Sequence, residues 1–145
     1  MEVIRLTGKP FSARRADWSG SAEKAFPPFF GLTRQSNDLH ARINARVEQM
    51  FQRGLIEETK RLLAHGLAGN KFALQAIGYR QVAEHLRGER DLPATIELVK
   101  IRTRQFAKRQ MTWFRKHAKL NWIDCALDDD AAPVSERIIA LLRRK

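Results

Sequence analysis

The chain has 145 residues, 27 Lys and Arg against 16 Asp and Glu, and a net charge of +11, a length that suits one domain and a sign that selects nucleic acid or an anionic surface as partner. A hydrophobic fraction of 43% with three tryptophans excludes a disordered basic tail, and no apolar run approaches the ~20 residues of a membrane span. The single Cys125 excludes an internal disulfide, and His40, His65, His85 and His117 are scattered without metal-ligand spacing, so no metal site is expected, and cytoplasm is the expected address.

In chain order, Glu2 to Leu6 runs straight into Thr7-Gly8-Lys9-Pro10. Gly8 and Pro10 suit a helix stop, but five residues are too few for a helix that stands alone, so this start is expected to belong to a longer element. Gly8-Lys9 is not a P-loop, because no glycine lies five residues upstream and Pro10 replaces the required Ser or Thr. Residues 10 to 37 read as a long connection with one strand around Phe29 to Thr33. Asn37 or Asp38 is expected to cap a helix with Leu39, Ile43, Val47, Met50 and Phe51 on its apolar face and Arg42, Arg46, Gln49 and Arg53 on another stripe. Gly54 breaks it. Leu55 to His65 continues as a second helix with Gly66 as its stop, and Leu74 to Arg87, closed by Gly88, is predicted as a third. Pro93, after Asp91, is expected at the first position of a long basic helix. Leu120 to Cys125 reads as a short strand, and Asp128 to Asp130 with Pro133 introduce a last helix predicted to turn Val134, Ile138, Leu141 and Leu142 inward. The expected class is mainly α with one or two short strands. A lone strand cannot satisfy its backbone, so LNWIDC needs a sheet that the sequence does not obviously provide, which points to a missing N-terminal part.

The basic helix carries the strongest signal. Lys100, Arg102, Arg104, Lys108, Arg109, Arg115, Lys116 and Lys119 lie in a stretch with no acidic residue from Leu98 to Ile123. At 100° per residue, Val99, Thr103, Phe106, Ala107, Gln110, Trp113 and Phe114 share one arc, which is expected to pack on a core. Arg102, Arg104, Lys108, Arg109, Arg115 and Lys116 share the other. A solvated helix face normally mixes charge signs, since like charges at i,i+4 repel, so this face reads as a polyanion-binding surface.

LQAIGYRQ (Leu74 to Gln81) and IRTRQFAKRQMTWFRK (Ile101 to Lys116) resemble the tRNA dimethylallyltransferases, the isopentenyl-tRNA transferase family. EVIRLTGKPFS (Glu2 to Ser12), LHARINARVEQMFQRGLIEE (Leu39 to Glu58) and HLRG (His85 to Gly88) are similar to the same family. The resemblance implies transfer of a dimethylallyl group from dimethylallyl diphosphate to the 6-amino group of the adenosine next to the anticodon. It also implies a base flipped into a channel and Mg²⁺ assisting the diphosphate. Its fold implication is the C-terminal helical part of a P-loop-type α/β fold, with residues 1–145 as the C-terminal part of the catalytic domain. The family's P-loop and general-base Asp lie in an N-terminal half, and this sequence contains no GxxxxGK[ST]. The chain alone is therefore expected to be inactive, with tRNA, the prenyl donor and the missing N-terminal half as partners and no membrane.

Residue by residue, Gln75, Ala76, Ile77, Gly78, Tyr79 and Arg80 match the family's first tRNA-contacting segment. Lys108, Arg109, Gln110, Met111, Thr112, Trp113, Phe114 and Arg115 match the second, with Trp113 and Phe114 expected to pack rather than stack on bases. Arg42 and Arg46 match basic positions near the prenyl-donor end of the channel, where a diphosphate wants permanently charged, bidentate donors. Two other classes compete: a stand-alone basic helical module that binds RNA without catalysis, and a peripheral membrane binder, which lacks a second anchoring signal.

Overall fold

Residues 29–127 and 129–143 of the computed structural model are described. The expected stop at Gly8 to Pro10, and most of the 10–37 connection, lie outside them. The expected strand is present as β1 (Phe30–Thr33). It leads into α1 (Ser36–Gln52), whose Ile43 and Val47 lie one turn apart and are buried. This helix starts before the expected cap. Gln35 takes the cap position with extended backbone, and Asp38 falls in the first turn. Its carboxylate accepts from Arg34 Nη1 at 3.1 Å and Arg42 Nε at 2.9 Å, so two arginines take the oxygens that a cap would have turned to backbone N–H groups.

Gly54, at φ +96° and ψ 31°, turns the chain into α2 (Leu55–Ala64) as the sequence suggests. The third predicted helix is shorter than expected. Leu74 to Gly78 is not α-helical: a 3₁₀ turn spans Ala73–Gln75, and α3 covers only Tyr79–Leu86. The cause is Gly78, whose φ of +111° cannot continue a right-handed helix. Gln81 Oε1 accepts from the Gly78 N–H at 2.8 Å and closes the new helix start.

The long basic helix, α4 (Leu92–His117), is capped by Asp91, which accepts from the Ala94 N–H at 2.8 Å. Leu92 takes the first helical position and Pro93 the second, one later than expected, still within the turn where proline costs no hydrogen bond. α1 and α4 share the core: Ile43, Val47 and Val99, with Leu39, Phe51, Ile77, Ile96 and Ala107 packed around them. Thr59 and Thr95 are fully buried, and each hydroxyl donates to the carbonyl one turn back, at 2.7 Å, so no polar penalty remains.

The strand without an obvious partner finds one. β2 (Asn121–Asp124) pairs parallel with β1, Phe30 opposite Asn121 and Thr33 opposite Asp124. The last helix, α5 (Ala131–Arg143), buries Val134 and half-buries Ile138. Leu141 and Leu142 do not turn inward as expected; they are 41% and 44% exposed, because no described element packs closely along the last turns. No helix among the described residues is long and apolar enough to cross a membrane.

Candidate nucleic-acid interface

α4 divides into two halves. Thr95 and Val99 are buried in its first half, beneath α1 and α3. Ala107 is the last of its residues packed on that core, and Phe106, Trp113 and Phe114 are 45%, 46% and 39% exposed. The expectation that this aromatic arc packs on a core holds for Val99, Thr103 and Ala107 and fails for the rest. The exposed rings pack on one another and on nearby side chains: Trp113 meets Phe114 edge-on at 5.1 Å and stacks on His117 at 5.2 Å, while the Arg109 guanidinium lies 6.0 Å from the Phe106 ring.

The eight cations of the stretch also divide. Lys100 pairs with Glu48 at 2.7 Å, and Arg104 pairs with Glu97 at 3.2 Å while donating to Asn44 Oδ1 at 2.7 Å. These two fasten α4 to α1 and to its own preceding turns. Arg102, Lys108, Arg109, Arg115, Lys116 and Lys119 have no carboxylate within ion-pair distance among the described residues. A patch of uncompensated like charge costs stability until a polyanion neutralises it. Within the second segment Gln110, Thr112 and Arg115 are exposed, Met111 is half-buried, and the Thr112 hydroxyl bonds back to the Lys108 carbonyl at 3.0 Å.

Gln75 to Gly78 of the first segment form a turn and Tyr79 and Arg80 open α3, so the segment faces α4 across a cleft. Ile77 anchors the turn in the core, Gly78 is buried, and Gln75 and Ala76 are exposed. The Tyr79 hydroxyl donates to the Glu58 carboxylate on α2; that hydrogen bond, with burial, pushes the phenol above its ordinary 10.0. Arg80 projects outward, with Nε on Glu84 at 2.9 Å. A cleft of about 440 Å³ separates this turn and α3 from α4, and Gln75, Arg80 and Arg109 line it together with Arg90 and Arg102. The two segments singled out from the sequence therefore share one cavity. Arg90 was legible only as a charge in the turn after Gly88, and nothing in its spacing points to the cleft. A second, shallower groove runs between Lys108, Thr112, Trp113 and Lys116.

Arg42 and Arg46 line neither cleft. Arg42 donates Nε to Asp38 and Nη2 to the Leu127 carbonyl at 2.8 Å, tying α1 to the segment after β2. Burial pushes Asp38 upward, but the hydrogen bonds from Arg42 and Arg34 outweigh it and hold the carboxyl below its ordinary 3.8. Arg46 is exposed and has no ion pair among the described residues. Among the described residues no group of three or more His, Cys, Asp or Glu side chains stands close enough to hold a metal ion.

A family model described as IPP transferase matches residues 1–117. The chain belongs to the IPP transferase family. Among curated relatives, the tRNA dimethylallyltransferase of Desulforudis audaxviator is 40% identical over 124 residues, covering 86% of this chain and 40% of that protein. That of Natranaerobius thermophilus is 34% identical over 145 residues, covering 100% of this chain and 43% of that protein. The crystal structure of the full-length tRNA isopentenylpyrophosphate transferase of Bacillus halodurans superposes with a TM-score of 0.70 at 30% identity, over 99% of this chain and 52% of the other. The tRNA delta(2)-isopentenylpyrophosphate transferase of Staphylococcus epidermidis gives a TM-score of 0.72 at 26% identity, over 99% and 46%. The chain spans less than half the length of the curated relatives named here.

Proposed function

We propose that this chain is the C-terminal part of a tRNA dimethylallyltransferase catalytic domain, supplying tRNA contacts and one wall of the channel in which a dimethylallyl group passes from its diphosphate to the 6-amino group of the adenosine beside the anticodon. One observation carries the reading: the Gln75 to Arg80 segment and the basic face of α4 meet across a single arginine-lined cleft. Guanidinium groups offer phosphate two parallel donors with a permanent charge. Beside them, the exposed Trp113–His117 pair and the amide of Gln110 present flat and hydrogen-bonding surfaces to unpaired bases. Arg42 and Arg46 are assigned the diphosphate of the donor. Mg²⁺ in the complete enzyme would ease departure of the diphosphate; the described residues offer it no ligand set, and no residue here is assigned to it.

Two assays test this. Binding of an RNA hairpin with the sequence of a tRNA anticodon arm should weaken with salt; for about five neutralised phosphates, the slope of log K against log salt is roughly −3.5 to −4.5. A slope near zero removes the phosphate-binding reading. Incubation with dimethylallyl diphosphate, Mg²⁺ and unmodified tRNA should give product only when the chain is joined to a half carrying the phosphate cradle, since this sequence has no GxxxxGK[ST]. RNA binding that persists with no product even in the joined enzyme would favour the stand-alone RNA-binding module.

A further inference from the structure

Glu84 sits inside the α3–α4 cleft with its two oxygens committed to different arginines. Oε1 accepts from Arg80 Nε at 2.9 Å and Oε2 accepts from Arg90 Nη1 at 3.1 Å. The carboxylate side chain is 14% exposed, whereas those of Arg80 and Arg90 are 68% and 30% exposed, so the acid lies beneath and the guanidinium groups reach outward. Arg80 thereby keeps both terminal nitrogens free of ion pairs among the described residues, and Arg90 keeps one. Arg102 and Arg109 stand on the opposite wall with no carboxylate in reach among the described residues, and the one side-chain hydrogen bond Arg102 makes among them goes to Gln105 Oε1, at 3.4 Å. Four guanidinium groups thus face one carboxylate that is already spent.

We propose that the α3–α4 cleft binds the phosphodiester backbone of RNA, with Arg90 and Arg102 as contacts outside both recognised segments and Glu84 as the positioning residue that holds Arg80 and Arg90 in place. The proposal rests on the RNA-binding reading above and locates it. Ordering a long side chain on binding costs conformational entropy, and a carboxylate that orders two in advance removes that cost from the binding step. The hydrogen bond from Arg80, against burial and with help from Arg90, keeps the Glu84 carboxyl below its ordinary 4.5, so the clamp stays ionised at neutral pH.

Charge alone and positioning predict opposite signs. By charge alone, Glu84→Gln makes the cleft more positive and tightens RNA binding. By positioning it weakens binding, roughly three- to tenfold. The test uses the full chain, a labelled anticodon-arm RNA hairpin and titrations at several salt concentrations. Arg90→Gln and Arg102→Gln should each bind about tenfold more weakly and make the salt slope shallower by about one. Arg102 has no structural partner beyond Gln105 among the described residues, so its variant reports on the site even where Glu84→Gln loosens α3. Inorganic pyrophosphate should compete no better than sodium chloride of equal ionic strength. If wild type binds with a steep slope while both arginine variants keep that slope, the cleft assignment fails and the broader reading stands. Tighter binding by Glu84→Gln overturns the positioning role, and selective displacement by pyrophosphate replaces RNA backbone with a free diphosphate. A wild-type chain with no salt-dependent binding removes both readings.

Discussion

Replacing Gly78 with alanine tests the link from backbone geometry to the interface most directly. Gly78 sits at φ +111° and ψ −64°, a combination open to glycine and costly for any residue with a Cβ. Space is not the obstacle: a Cβ there would lie 3.6 Å from Leu55 Cδ2, ordinary van der Waals contact. The cost is torsional, about 1–3 kcal/mol. Relaxing the strain would move the Gly78 N–H away from Gln81 Oε1, now at 2.8 Å, and losing that bond costs about 1 kcal/mol more. Alanine returns roughly 0.4–1 kcal/mol by restricting the unfolded chain. The net is about 1–3.5 kcal/mol, or roughly 3–12 °C in Tm for a domain of this size. Thermal unfolding followed by circular dichroism measures it, and hairpin binding should weaken alongside because the turn carrying Gln75 is re-aimed. Gly54 supplies the control. At φ +96° and ψ 31° it lies in the left-handed helical region that asparagine tolerates, so Gly54→Asn should cost under about 1 kcal/mol. Gly78→Asn should cost as much as alanine. Gly78→Ala within about 0.5 kcal/mol of wild type, or rescue by asparagine, would refute the reasoning.

Three further outcomes follow from the same geometry. Asp38 and Glu84 titrate below their ordinary 3.8 and 4.5 when folded, so their stabilisation is present above those values and is lost as pH falls through the depressed ones; Tm should drop in acid, and Asp38→Asn should make the drop smaller. Arg42→Lys keeps the charge but cannot bridge Asp38 and the Leu127 carbonyl together, so it should cost about 1 kcal/mol in urea unfolding; in the joined enzyme, a raised requirement for prenyl donor with unchanged tRNA saturation would show its diphosphate role. Asp91→Ala removes the cap of α4 and should cost about 1 kcal/mol, read as a lower urea midpoint with an unchanged m value.

Periodicity made the helices legible, because burying Ile43, Val47 and Val99 on one face each leaves a repeat that survives translation into sequence. The break at Gly54 was legible for the same kind of reason, a residue whose absence of a side chain is itself the signal. Gly78 escaped notice as a breaker because LQAIGYRQ keeps apolar residues at helical spacing on both sides of it; the side-chain cap from Gln81 leaves no periodic trace. The aromatic arc misled at Phe106, Trp113 and Phe114 because a helical wheel states which residues share a face and not how far a neighbouring helix extends. For the site, the acid-free stretch revealed charge but not its partition. Glu48 and Glu97 neutralise Lys100 and Arg104 from outside the stretch, and Glu84 gathers Arg80 and Arg90 across a turn. Of these, Lys100–Glu48 is set by tertiary approach, which no local spacing encodes, whereas Arg80–Glu84 stands at i,i+4 within α3 and Arg104–Glu97 lies within α4.

The parallel pairing of β1 with β2 has a consequence for how the chain reaches its native state. Its accessory bonds, from Arg34 to the Ala126 and Asp129 carbonyls and from Arg42 to that of Leu127, span 85 to 95 residues. Closing so long a loop from an unfolded chain is entropically expensive, whereas the helices between the strands form from local contacts. Once α1 and α4 have docked, the remaining search is short, so the two-stranded clasp closes late. Weakening it should therefore accelerate unfolding while leaving the folding rate nearly unchanged. The element that joins the two ends of the helical body is thus the first to open, and it governs how long that body survives rather than how fast it forms.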